Sequence, residues 1–194
     1  PEPFGAPDPG PADPEHVHKP SADGALLEIY QPSEDSDQKA KAASDLGKIL
    51  LEKGVIDAVT LEQTLAMVNQ SPGLRLADAF VQQGIDEAAV QEGLAESAGL
   101  HFERIALDRG PDEAFHTELT TRLSVEFCRE NLVLPLRNER GRLVVATARP
   151  DDVFAIDDLR ARLGVASVKP VVVTRGDIEA ALAMMDLGES EELD

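Results

Sequence analysis

Basic side chains are scarce here: 18 Lys and Arg face 37 Asp and Glu, for a formal charge of −19. A sequence-independent grip on nucleic acid needs clustered Lys and Arg, so that class is excluded, and an anionic membrane surface is disfavoured. The acidic surplus reads as solubility and self-repulsion. Cysteine is nearly absent too. Cys128 is alone, which rules out an internal disulfide and makes a reducing compartment the simplest expectation. It lies in the amphipathic stretch Val125-Glu126-Phe127-Cys128 with no histidine paired to it, so it reads as a buried thiol. No apolar run approaches a membrane span and no signal peptide is visible. A chain that opens on Pro1 rather than Met is expected to be a piece of a longer one.

Catalytic signatures are missing as well. There is no glycine-rich phosphate loop ending in Lys-Ser/Thr, so nucleotide hydrolysis is not expected of these residues, nor any other catalysis. His16 and His18 sit in a proline-rich stretch, and His101 and His116 have no ligand-type neighbours at metal-binding spacing. Asp151-Asp152 follows Pro150 at a helix opening, where acid favours the positive end of the dipole. Asp157-Asp158 has no oxygen-rich glycine loop around it. No metal is expected at either pair.

What is present is a repeat. Leu46, Leu50, Gly54, Ile56, Leu61 and Leu65 recur as Leu76, Phe80, Gly84, Ile85, Val90 and Leu94. The offset is 30 up to the glycine and 29 beyond it, so the second copy has lost one residue just past Gly84. Fixed-period self-similarity marks a duplicated supersecondary unit. Leucines at i,i+4 give each helix an apolar face, Gly54 suits a left-handed stop, and Asp57 and Asp86 suit N-caps. Ser71-Pro72-Gly73 separates the copies. Four short helices result, each marginal alone and stable when packed together.

Residues 1–43 read as a disordered acidic, proline-rich tether, with seven prolines between Pro1 and Pro20. Within it Ala25-Leu26-Leu27-Glu28-Ile29-Tyr30 is either a short docking segment or a chance apolar cluster. Residues 44–100 form the tandem helical unit, 101–187 an α/β unit and 188–194 an acidic tail or linker. In the α/β unit His101 to Ala106 is strand-like, Asp112 can cap a helix, and Thr120 or Thr121 can start another carrying Leu123, Phe127 and Cys128. Leu132–Leu136 and Leu143–Ala146 make a hairpin with Gly141 in its turn, and Pro135 needs an edge or a bulge. A helix from Pro150-Asp151-Asp152 to Leu163 stops at Gly164. Val168–Val173, interrupted by Pro170, is an edge-like strand, and Thr174 caps the last helix with Ile178, Ala181, Leu182 and Met185 inward. The fold class is α+β: a four-helix unit from a duplicated helix-turn-helix, then a small three- to four-stranded sheet covered by helices.

Over residues 44–187 these features together resemble the N-terminal domain of the assembly ATPases that power type II secretion and type IV pili. That family carries a twofold Arg-Leu-Gly … Leu … Gly … Leu … Leu … Gln motif before an α/β half. Leu46-Gly47, Leu50, Gly54, Ile56, Leu61 and Leu65 match the first copy; Arg75-Leu76, Gly84, Val90 and Leu94 match the second. Val133–Leu136, Leu143–Ala146, Ala148–Asp152 and Asp157-Asp158-Leu159 match the α/β half. The resemblance implies a non-catalytic interaction and regulatory module. It would dock a C-terminal ATPase to the cytoplasmic domain of an inner-membrane platform protein, in the cytoplasm and peripheral to that membrane. It also implies a second function, cyclic di-GMP sensing, with Leu46, Gly47, Leu50, Leu65, Arg75 and Leu76 at the ligand positions. The motif is degenerate: Asp45 stands at the first arginine, Ala77 at the second glycine, and Val68 and Ser97 at the glutamines, with Gln70 two residues beyond Val68.

Overall fold

Helix signals in the first half are short-range, and the chain obeys them. The computed structural model describes residues 45–191, with side chains to 186. The tether, its 25–30 segment and the last three residues lie outside the described residues. Helical residues 45–52 (α1) lead to Gly54 in the left-handed region at φ 69°, and the Val55 amide donates back to Leu50 O at 2.9 Å. Asp57 accepts from the Thr60 amide at 2.7 Å and opens α2, Ala58–Gln70. The second copy repeats each step. After α3, Leu76–Gln82, Gly84 turns at φ 87° and the Ile85 amide returns to Phe80 O at 3.1 Å. Asp86 then caps α4, Glu87–Ala98, through the Ala89 amide at 2.9 Å. Leu46, Leu50, Ile56, Leu76, Ala77, Phe80 and Val90 form one buried apolar cluster.

The second half holds a separate cluster around a three-stranded sheet ordered β1-β2-β3. β1, Val133–Glu139, runs antiparallel to β2, Arg142–Thr147, from Val133↔Thr147 to Glu139↔Arg142. Arg140 (φ 49°) and Gly141 (φ 78°) make the two-residue turn; positive φ at both positions is what a tight hairpin with right-twisted strands requires. Pro135 lies on the outer strand beside an irregularity between residues 135 and 137, where a missing N–H is tolerated. α8, Val153–Leu163, carries the chain from β2 to the parallel β3, Val168–Val172. Phe102 makes a single parallel bridge with Val172, so the strand-like 101–106 segment is one bridge rather than a full strand.

Between Phe102 and β1 the chain makes a 3-10 turn at Leu107–Arg109 and three short helices: α5, Pro111–Ala114, α6, Thr117–Leu123, and α7, Val125–Asn131. Two expectations are corrected here. Asp112 does not cap: Gly110 holds that place, Pro111 takes the first helical position, and Asp112 accepts from the Thr117 hydroxyl. Leu123 and Phe127 do not share a helix. Ser124 adopts φ 76°, ends α6, and starts α7 by accepting from the Phe127 amide at 3.2 Å. The last helix, α9, Arg175–Glu191, places Ile178, Ala181 and Leu182 in the core, and the Asp177 amide donates to the Thr174 hydroxyl. The helix runs on through Glu191.

Candidate functional site

The residues matched to the ligand motif come from α1, α2 and the start of α3, and close packing fixes them. A Cβ built on Gly47 would sit 2.8 Å from Leu61 Cδ1, so bare backbone lets α2 approach α1. Across the cluster, a Cβ on Gly93 would meet Leu50 Cδ2 at 2.9 Å and Leu46 Cδ1 at 3.2 Å. Leu46, Leu50 and Leu76 are consequently buried in one core, brought together by helix packing. Leu65 is not brought in; it is 40% exposed. Ala77, at the second glycine position, adds its methyl group to the core. Val68 packs against the same cluster, and the Ser97 hydroxyl donates to Leu94 O.

Arg75 precedes α3 as its N-cap residue, and its side chain makes no capping hydrogen bond there. Nη1 donates to Asp151 Oδ1 at 2.9 Å, with the two side chains 28% and 30% exposed. Sequence reasoning placed Asp151 and Asp152 together at a helix opening. Their roles are divided: Asp152 accepts from the Ala155 amide and caps α8, while Asp151 pairs with Arg75.

That pair belongs to a junction between the halves. α4 packs on β3. Glu87 Oε1 accepts from the Arg175 amide at 2.6 Å, and Gln91 Nε2 donates to Ala148 O at 3.4 Å. Gln91 Oε1 and Arg149 Nε are buried there without a hydrogen-bond partner. Ala95 and Val172 are buried but belong to neither apolar cluster. The junction is thus built from small side chains and polar contacts. No residue pair in it advertises itself locally, because its partners lie 57 to 88 positions apart.

Other polar groups hold the second half together. Asp177, nearly fully buried, accepts from Arg104 Nε at 2.6 Å and Nη2 at 2.9 Å, which ties the 101–106 segment to α9 and holds that guanidinium charged. Arg137 bridges Glu103 and Glu139, and Lys169 also reaches Glu139 at 3.0 Å. Lys169 first, then Arg137, holds the Glu139 carboxyl below its usual value. Burial pushes the Cys128 thiol up to about 12, which leaves it protonated and inert at neutral pH. Among the described residues no group of three or more His, Cys, Asp or Glu could hold a metal, and no helix is long and apolar enough to cross a membrane.

The family model of the MshEN domain matches residues 105–192. Among curated proteins none matches this chain. Among solved structures, one of MshE with cdg is similar at TM-score 0.57 and 22% identity, over 71% of this chain and 96% of that one. The N-terminal domain of XpsE is similar at TM-score 0.56 and 23% identity, over 74% of this chain and 95% of that one. At such identities the likeness establishes the fold.

Proposed function

We propose that this chain, whose residues 105–192 match the family model of the MshEN domain, is the non-catalytic N-terminal interaction domain of a secretion or pilus assembly ATPase. It docks the motor to the cytoplasmic domain of an inner-membrane platform protein, working in the cytoplasm at that membrane. One observation carries the reading. Leu46, Leu50 and Leu76 of the ligand motif are spent on the core and Arg75 on Asp151, while the large apolar pair Val153-Phe154 stays outside, 55% and 73% exposed. An exposed aromatic beside an exposed aliphatic residue is the kind of anchor a partner pocket covers.

MshE has been solved with cdg, and this supports a second reading, a cyclic di-GMP sensor using Leu46, Gly47, Leu50, Leu65, Arg75 and Leu76. Against it, Asp45 puts a carboxylate where an anionic ligand needs a cation, and three of the leucines have no surface to offer. Two titrations separate the readings. The immobilised chain should retain the cognate platform protein's cytoplasmic domain, with Phe154→Ser weakening capture at least about tenfold, or about 1.4 kcal/mol. Calorimetry with cyclic di-GMP should give no saturable heat. Micromolar binding that Arg75→Ala abolishes would reverse the order of the two readings.

A further inference from the structure

The two halves have separate apolar cores, and what joins them is a few small apolar side chains, Ala95 and Val172 among them, with a set of polar contacts. Arg75–Asp151, Glu87 with the Arg175 amide, and Gln91 with Ala148 O are the cross-junction hydrogen bonds among the described residues. Interfaces of this kind permit relative motion unless they are large and hydrophobic. The three ties are unequal. The Gln91 contact is long at 3.4 Å, and the Glu87 contact is to a main-chain amide. Of the three, only Arg75–Asp151 joins two side chains of opposite charge, at 2.9 Å in a partly buried setting.

We propose that Arg75–Asp151 is a releasable latch between the halves, and that a phosphodiester-bearing dinucleotide reaches the Arg75 guanidinium only by displacing Asp151. The dinucleotide part rests on the second reading above; the latch itself does not. The motif's arginine corner and the junction's charged tie are the same side chain, so an anion bound there competes with the contact that holds the halves together. Anion binding and junction opening are then linked, and each favours the other.

The Arg175 amide is a built-in reporter. It stands at the first position of α9, and its acceptor, Glu87, lies on the other half. Its hydrogen exchange, followed by NMR on the whole chain, reads the junction, while the Leu182 amide within α9 reads the core. Arg75→Glu and Asp151→Arg should each speed exchange at Arg175 at least about fivefold and leave Leu182 unchanged. The double variant, with the charges reversed, should return Arg175 to within about twofold of the original chain. Unchanged exchange in the single variants, or no recovery in the double, overturns the latch. Calorimetry with cyclic di-GMP on the original chain and Asp151→Asn tests release. No saturable heat with the original chain and micromolar binding in Asp151→Asn supports competition for Arg75. Equal binding overturns the competition and leaves the dinucleotide reading standing. Binding to neither overturns release by this ligand, and the exchange cycle alone then decides the latch.

Discussion

Gly47 and Gly93 both lie under leucine side chains, yet the same substitution should affect them differently. Alanine in place of glycine inside a helix favours folding by about 1 kcal/mol. At Gly47 the new methyl group meets the end of Leu61, a partly buried side chain with room to turn. At Gly93 it meets Leu50 and Leu46, both fully buried. Overpacking such a site costs about 1–3 kcal/mol. Gly47→Ala should therefore be neutral within about 0.5 kcal/mol, and Gly93→Ala destabilising by up to about 2 kcal/mol, as read by urea unfolding. The residue scale is also where the motif residues were least legible. Leu46 and Leu65 occupy matched positions in one apolar pattern, but one is core and the other surface. Periodicity says which residues share a face and not how much of that face a neighbour covers.

The hairpin carries a carboxylate whose partners make its contribution depend on pH. Glu139 sits at the end of β1 and holds Lys169 on β3 and Arg137 on its own strand. Because its carboxyl is held below the ordinary value of 4.5, its stabilising contribution is fully present above that value and is lost as pH falls through the lowered one. The Tm advantage of the original chain over Glu139→Gln should be constant from neutrality to about pH 5 and should shrink steadily below that. A difference that persists undiminished at about pH 2 would place the effect elsewhere. Element identity was legible at this scale: the Asp57 and Asp86 caps, the Gly54, Gly84 and Gly164 stops and the Arg140-Gly141 turn all act within a few residues. The break at Ser124 was not, because a serine inside an amphipathic stretch fits helix continuation as well as a cap.

At the scale of the molecule, two apolar clusters share no residue, and a junction of small side chains and polar contacts lies between them. Damage to one should stay local. Leu50→Ala removes a fully buried side chain from the helical cluster, at a cost of about 2–5 kcal/mol. Amide exchange should rise across residues 58–98 while residues 133–147 keep their protection. Uniform loss of protection along the chain would mean that the junction couples the halves more tightly than its small and polar contacts suggest.

What the sequence by itself determined is whatever depends on near neighbours: the duplicated helical pair, its caps and stops, the hairpin, and the α+β order of elements. Only the tertiary structure decided the pairings that cross the chain. It sent Arg75 to Asp151 rather than to solvent, tied Arg104 to Asp177, and laid α4 on β3. The reason is physical. A cap or a turn is specified by contacts three or four residues apart, whereas an ion pair spanning more than seventy residues exists only after packing has chosen which faces meet.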